Sequence, residues 1–440
     1  MRTVLAFVPE RRLAAALAGC ALLWLVPGIG GALGAAALAM LAMLVLVDAA
    51  RLPSRHTFTI EREAPASVGL GDANGMTYHL VNRSGTPVRA RLQDRLPACV
   101  EGGLGSATHE VGARDVRAVA VPLRGVRRAE EPLGPVGARL TTRLGLVGAR
   151  VRVAPADTIR VVPSVAGVRR FRLLAMQHRL DTAGVRALRR RGEGQGFAGL
   201  REYALGDDPR HIDWKATAKR HKLITREFTI ERAQTVLTLV DAGRGMTQLA
   251  GEFSRFEQAL SSSLILTDIA AAAGDRVGTL VFDDAIRAFV PAQRSRGALQ
   301  AVRDAYVPVT ASPREPDYAS AFRFLATHQR KRALIVFYTD VLGVRASRAL
   351  LAHVARGSAR HLVLVVALRN DPLHALAVPG ATGSDATLYE RAAAAELVES
   401  REEALERMRR AGAVVLDVSP SVMTASVVNR YLELKGRGAL

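Results

Sequence analysis

The 440-residue sequence predicts an α/β protein in three parts. They are an N-terminal transmembrane helical hairpin, an antiparallel β-sandwich of immunoglobulin-like size, and a doubly wound, mostly parallel sheet. Three observations carry this expectation. Residues 13–50 are almost unbroken Ala, Leu, Val, Met and Gly, with no charge until Asp48. From Thr57 to Val162 the chain runs in short stretches of period two, broken by turn residues about every ten positions. From Thr235 onward, near-continuous apolar runs alternate with stretches of helical spacing.

Composition sets the outer bounds. At about 150 residues per domain, the length accommodates two or three hydrophobic cores. Hydrophobic residues make up 49% and aromatics only 5%, so those cores draw on Ala, Val and Leu. The formal net charge is +20, carried mostly by Arg. Such a balance favours anionic lipid, acidic proteins or nucleic acid. Because the arginines are scattered and no basic patch is interleaved with stacking aromatics, specific nucleic-acid binding is not expected. Cys20 and Cys99 are too few for a disulfide framework or a metal knot, which points to a reducing compartment.

The apolar N-terminus is too long for one membrane span of about 20 residues and suits two short ones. The break falls at Pro27-Gly28-Ile29-Gly30-Gly31, leaving arms near Leu13–Val26 and Ala32–Val47. Arg2, Arg11 and Arg12 precede the pair, and Arg51 and Arg55 follow it. The positive-inside rule then places both ends, and the soluble domains, in the cytoplasm. A cleaved signal peptide would carry one apolar core, whereas a second arm follows the turn here. The lipid bilayer is therefore an expected partner.

The sandwich is read from runs such as HTFTIERE, MTYHLVNRS, TPVRARLQD, VRAVAVPL and ARVRVAP. Their turns come from Gly-Asp-Ala-Asn-Gly and Asn-Arg-Ser-Gly-Thr-Pro. Nothing in them suggests chemistry, so a spacer or docking role is expected. An Arg-rich lead-in, Arg186 to Arg191, follows and reads as a solvated helix face or a contact for anionic headgroups.

Between Gly192 and Glu231 charge and large apolar groups are interleaved. The charged residues include Arg201, Glu202, Asp207, Asp208, Arg210, Asp213 and Lys215, set among Phe197, Leu200, Tyr203, Gly206 and Trp214. A solvated loop has little use for the apolar groups, and a core tolerates the charges only when they are paired. Two readings follow. In the first the segment is a brace or docking face, with Arg201 and Arg210 pairing to Glu202, Asp207, Asp208 or Asp213, and with Trp214 and Tyr203 packed on the sheet domain. In the second, Asp207, Asp208, Asp213 and Lys215 serve a metal-dependent hydrolase of nuclease or phosphodiesterase type. The first is preferred, because no His or second acidic cluster completes the second.

The run FAGLREYALGDDPRHIDWKATAK resembles the signature of the bacterial domain-of-unknown-function 58 family. That likeness implies a membrane-anchored protein with a von Willebrand factor A-like domain, working beside a MoxR-type AAA+ ATPase. It also implies a metal-ion-dependent adhesion site built from D-x-S-x-S after the first strand and an Asp after the fourth. Here the first strand, TVLTLVDAG, runs into Asp241-Ala242-Gly243-Arg244-Gly245, and the strand RALIVFYTD ends in Asp340. Asp241, Gly243, Gly245 and Asp340 are thus the degenerate metal positions, and Mg²⁺ is the cofactor to weigh. Glycine at both hydroxyl positions and Arg244 beside them oppose a cation that wants several oxygen ligands. Ser320 and Thr339 are the nearest substitutes, and Thr247 is out of register.

The expected organisation is a hairpin over 1–52, a sandwich over 53–165, a signature segment over 166–234 and a von Willebrand A-like domain over 235–440. The expected role is a non-enzymatic scaffold or adaptor at the inner membrane of a bacterium.

Overall fold

The computed structural model describes residues 6–54, 56–153, 157–164, 196–204, 209–229, 234–294, 297–341, 347–377 and 385–437. The chain divides into two compact units, Met1–Ala166 and Gly167–Leu440. The Arg186–Arg191 lead-in lies outside the described residues.

The first unit holds β1 (Ala6–Pro9), α1 (Arg11–Leu23), α2 (Gly30–Arg51), β2 (Phe58–Glu63), β3 (Ser67–Gly69), β4 (Ala73–Asn82), β5 (Val88–Asp94), β6 (Val100–Gly102), β7 (Thr108–Val111), β8 (Asp115–Gly125), β9 (Ala129–Pro132), β10 (Val136–Thr141), β11 (Val147–Val153) and β12 (Thr158–Val162). Two antiparallel sheets, ordered β1-β11-β10-β5-β7 and β2-β4-β8-β6, bury their alternating residues in one core. Met76, Tyr78 and Leu80 of β4 face that core, as do Val136, Ala138 and Leu140 of β10. Each such side chain contributes about 1.5–3 kcal/mol by leaving water. Inside the unit, the buried Arg62 guanidinium pairs with Asp94 at 3.2 Å and Asp157 at 3.3 Å, and it donates to the Gly134 carbonyl at 2.9 Å.

Helix α2 spans 22 residues, about 33 Å at 1.5 Å per residue, and is the one helix among the described residues long and apolar enough to cross a membrane. Helix α1 has 13 residues, about 20 Å, and falls short of a full span by itself. Leu22, Leu25 and Ile29 near the turn are exposed, as are Met40, Met43 and Leu46 along α2. A side chain of that kind turned outward along a whole helix suits an apolar surrounding.

Both ends of this helix pair are tied to one sheet, which period-two reasoning did not anticipate. Strand β1, just before α1, pairs antiparallel with β11, Val8 lying opposite Gly148. The Glu10 amide donates to the Leu146 carbonyl at 3.0 Å, and the Glu10 carboxylate accepts from Arg139 Nε at 2.6 Å. Near the end of α2, Asp48 is fully buried. It accepts from the amides of Leu146 at 2.7 Å and Val147 at 2.9 Å, and from the Thr142 hydroxyl. Asp48→Ala would leave these donors without a partner, a loss of about 2 kcal/mol. Limited proteolysis of the full chain in detergent is expected to cut near residues 142–147 much faster in the variant. Equal cutting rates would mean that Asp48 does not hold the junction.

The second unit opens with β13 (Gly196–Glu202), α3 (Trp214–Arg220) and β14 (Ile224–Thr229). It continues through β15 (Thr235–Asp241), the two-residue strands β16 (Leu249–Ala250) and β17 (Phe253–Ser254), α4 (Arg255–Ala272), β18 (Arg276–Phe282), β19 (Ile286–Gln293), α5 (Ala298–Tyr306), α6 (Tyr318–His328), β20 (Leu334–Thr339), α7 (Arg348–Ser358), β21 (Leu362–Leu368), α8 (Asp371–Ala377), α9 (Asp385–Arg410), β22 (Val414–Val418) and α10 (Pro420–Gly436). A mixed sheet of order β19-β18-β15-β20-β21-β22 forms the centre. Its strands pair in parallel except β19, which runs antiparallel to β18 at the edge.

Alternation within each strand sends residues to two cores. Val236, Val240, Val336 and Val366 meet α4, α5 and α10 on one face. Leu237, Leu239, Phe337 and Val365 meet α6, α7 and α9 on the other. Strands covered on both faces read as continuous apolar runs, which is why TVLTLV and LIVFY show no alternation.

Candidate functional site

In a parallel sheet the strands deliver their last residues to one end, where ligands commonly sit. Here β15 delivers Asp241, and Asp340 follows β20 directly. Asp241 is buried, and its carboxylate is fully engaged. Oδ1 accepts from the Gly243 amide at 2.7 Å, while Oδ2 accepts from the hydroxyls of Thr339 at 2.7 Å and Tyr318 at 3.2 Å. Burial pushes the Asp241 pKa up to about 6; the three hydrogen bonds pull the other way, and the nearby Asp340 adds to the rise. Burial and the Asp241 carboxylate together push the Tyr318 hydroxyl above its ordinary range.

Asp340 lies between two buried arginines. Arg255 Nη1 is 2.8 Å from its Oδ2, and Arg401 Nη1 is 3.6 Å from its Oδ1. Arg255 is the first residue of α4, set by the N-cap Ser254, whose hydroxyl accepts from the Glu257 amide at 3.3 Å. Arg401 comes from α9, where it also donates to the carbonyls of Val341 and Leu368 and reaches Asp417 at 2.9 Å. Burial moves the Asp340 carboxyl upward, opposed by both guanidinium groups.

These residues do not fit a divalent cation. Magnesium needs several free oxygens at about 2.0–2.1 Å. The oxygens of Asp241 are taken by hydrogen bonds and those of Asp340 face guanidinium groups, so positive charge is already supplied by the protein. Nor are the two glycines open positions awaiting a hydroxyl. A Cβ on Gly243 would lie 2.8 Å from Pro316 Cδ, and one on Gly245 would lie 3.0 Å from Asp340 Cβ. The other hydroxyls weighed are also engaged: Ser320 with Asp317 at 2.6 Å and Thr247 with the Arg244 carbonyl at 2.7 Å. Arg244 itself turns outward to Glu315 at 2.8 Å. Among the described residues no group of three His, Cys, Asp or Glu side chains is arranged to hold a metal.

Beside this cluster is a cleft of about 250 Å³, lined by Arg255, Gln258, Arg369, Asp371, Ser419 and Ser421 among others. Its charges are largely matched internally, Arg369 pairing with Asp417 at 3.2 Å and Asp371 accepting from Ser419 at 2.5 Å.

The signature segment is more regular than its charge pattern suggests. Strands β13 and β14 pair antiparallel, Leu200 opposite Arg226 and Glu202 opposite Ile224. Asp213 caps α3, accepting from the Ala216 amide at 3.0 Å, and its own amide donates to the Ile224 carbonyl at 2.8 Å. The described residues show these contacts within the segment. Glu202 pairs with Lys222 at 3.0 Å, and Arg201 donates to the Glu202 carbonyl at 3.0 Å. The Tyr203 amide donates to the Leu223 carbonyl at 2.8 Å. Arg210 and Lys215 are exposed. Trp214, expected to pack on the sheet, is instead 68% exposed at the first position of α3. Phe197 sits in β13, while Gly206, Asp207 and Asp208 lie outside the described residues.

Residues 199–387 match the family model described as Protein of unknown function DUF58. That stretch of the chain is similar to the family. Uncharacterized proteins of Mycobacterium bovis and Mycobacterium tuberculosis are 26% identical to this chain over 184 residues, 40% of this chain and 55% of theirs. The chain thus spans about half the length of the curated relatives it matches. Among solved structures, the VWA domain of SpRpn10 is similar at 12% identity and a TM-score of 0.28, covering 45% of this chain and 95% of that one. BatB from Bacteroides thetaiotaomicron, described as a conserved hypothetical protein, is similar at 14% identity and a TM-score of 0.30, covering 46% and 98%. At such distance these likenesses carry no function, and the fold described above rests on the strand order of this chain itself.

Arg255 and Arg401 were not found by sequence reasoning. Arg255 does leave a trace, as a cation in the first turn of a helix, where the helix dipole disfavours it. Arg401 leaves none within ESREEALERMRR, where eight of twelve residues are charged.

Proposed function

We propose that this protein, similar over residues 199–387 to the DUF58 family, is a membrane-anchored adaptor that binds protein partners through the face carrying Trp214. The exposed Trp214 carries the proposal. A tryptophan held at the start of a helix by a capped Asp213, and left in water, has the character of an interface anchor. Of the carboxylates the hydrolase alternative rests on, Asp213 is occupied in a helix cap, and Asp207 and Asp208 lie outside the described residues. In this reading the second unit is a von Willebrand A-like, doubly wound domain whose metal site has been replaced by a buried guanidinium. The parts then follow the order hairpin 1–52, sandwich 53–165, signature 166–234 and adaptor domain 235–440.

The anchor is the α1–α2 pair, with both soluble units in the cytoplasm of a bacterium. That both ends of the pair join the same sheet supports a hairpin whose two ends share one side of the bilayer. The partner proposed is a MoxR-type AAA+ ATPase, with which the protein assembles or remodels client complexes. The test is binding of the full chain, in nanodiscs, to the MoxR-type ATPase of its own organism. Trp214→Ala is expected to weaken that association about 30-fold, the effect of losing an interface anchor worth about 2 kcal/mol. No association of the wild-type chain, or an unchanged affinity in the variant, would remove this reading. Metal-dependent phosphodiester hydrolysis abolished by Asp213→Ala would replace it with an enzyme.

A further inference from the structure

A second concavity, of about 490 Å³, lies between α6 and α7 and shares no lining residue with the cleft beside Asp340. Its floor is apolar, formed by Phe322, Leu325 and Ala326 of α6 with Gly357 of α7. The ring of His353 stacks on Phe322 with centroids 5.8 Å apart and planes 18° from parallel, which extends the floor across to α7. Around this floor stand Arg323, Arg356 and Arg360, all exposed, and no carboxylate lines the groove.

The charge balance here differs from that of α9 and α10. There arginines face glutamates one turn away, as in Arg407–Glu403 at 2.6 Å, Arg409–Glu406 at 3.1 Å and Arg430–Glu433 at 2.5 Å. Helices α6 and α7 contain no acidic residue at all. Residues 318–361 carry eight Lys and Arg against a single carboxylate, Asp340, which is buried between Arg255 and Arg401. Asp317, close enough to act on Arg323 and His353, is already held by the Ser320 hydroxyl at 2.6 Å. Among the described residues none of the three rim arginines makes an ion pair. Burial and the neighbouring Arg356 and Arg360 push His353 and His361 below the ordinary histidine range, so at neutral pH they add polar edges to the groove without charge.

An apolar floor ringed by unpaired cations is complementary to a chain that alternates apolar and acidic groups. Helices α6 and α7 each have 11 residues, about 16 Å, the length of three helical turns. We propose that this groove docks an acidic amphipathic segment of a partner protein, its apolar stripe on Phe322 and Leu325 and its carboxylates on Arg323, Arg356 and Arg360. Guanidinium–carboxylate pairs of this kind are charge-assisted and bidentate, and a basic or purely apolar segment would forgo them. The proposal rests on the adaptor reading and gives the partner a chemistry and a second contact point.

The probe is a fluorescein-labelled synthetic peptide of about a dozen residues, Leu at helical i, i+3, i+4, i+7 spacing and Glu elsewhere. Its anisotropy is followed on the full chain in nanodiscs of neutral phosphatidylcholine. Saturable binding is expected, weakened about tenfold or more by Arg356→Glu combined with Arg360→Glu. Ala326→Trp, which places an indole on the floor from an exposed position, is expected to weaken it to a similar degree. A peptide with Lys in place of Glu should not bind. Absence of saturable binding, equal binding of a scrambled peptide, or indifference to Ala326→Trp would overturn the proposal. So would phosphatidylserine vesicles that displace the peptide and lose their own binding on the same charge reversals, since the face would then belong to lipid. Trp214→Ala should leave peptide binding intact. Failure of the peptide alongside Trp214-dependent capture of the ATPase therefore removes the groove alone.

Discussion

Replacing Asp340 by alanine is expected to destabilise the second unit by about 3–5 kcal/mol, the cost of leaving a buried cation without its counter-charge. The burden falls mainly on Arg255. Arg401 keeps Asp417 and the carbonyls of Val341 and Leu368, whereas among the described residues the ion pair of Arg255 is to Asp340 alone. The double variant Asp340→Ala with Arg255→Met therefore should recover most of the loss, because it removes the stranded charge and keeps much of the volume. Urea unfolding of the full chain in detergent, resolved by hydrogen exchange of the β15 and β20 amides, separates the two. A single variant costing less than about 1 kcal/mol would mean that the pair is solvated and worth no more than a surface salt bridge. A double variant as unstable as the single one would mean that Asp340 acts through something other than Arg255.

This cluster also marks where sequence stops being informative. The central strands β15, β18, β20 and β21 were legible because each is a run of apolar residues buried on both faces, and the longer helices because their apolar residues recur at three and four. The sandwich strands were legible from their alternation, as in Val88, Ala90 and Leu92 of β5. What was not legible depends on residues far apart in the chain. Strand β1 has only four residues and pairs with β11 about 140 positions away, too short for any period to register. Asp48 read as the end of an apolar run, and only the fold brings Thr142, Leu146 and Val147 onto it. Glycines 243 and 245 read as lost ligands, whereas in the fold they are positions with no room for a side chain. Trp214 read as a packing residue because large apolar groups usually are, whereas it stands 68% exposed at the first position of a seven-residue helix.

Asp241 gives the second large effect, as a pH dependence. Its carboxyl keeps its proton up to about pH 6 in the folded chain, against 3.8 for an ordinary Asp. Between those two values the folded state binds more protons than the unfolded one, so this residue makes stability fall as pH rises through the window. The difference of roughly two units corresponds to about 3 kcal/mol, fully present as a penalty above pH 6 and absent below about pH 4. Asp241→Asn removes the titration while keeping an acceptor for the Gly243 amide. Relative to wild type, the variant should therefore gain about 3 kcal/mol as pH rises from about 4 to about 7. Parallel stability curves for the two chains across that window would show that the carboxyl is solvated and ionised throughout. The same preparations decide the metal question with a readout independent of activity. A cation binding Asp241 and Asp340 would raise the Tm of wild type at neutral pH by mass action, and the variant would lose that rise. Because Arg255 already faces Asp340 and three hydrogen bonds already hold Asp241, millimolar Mg²⁺ is expected to leave both melting curves where they are.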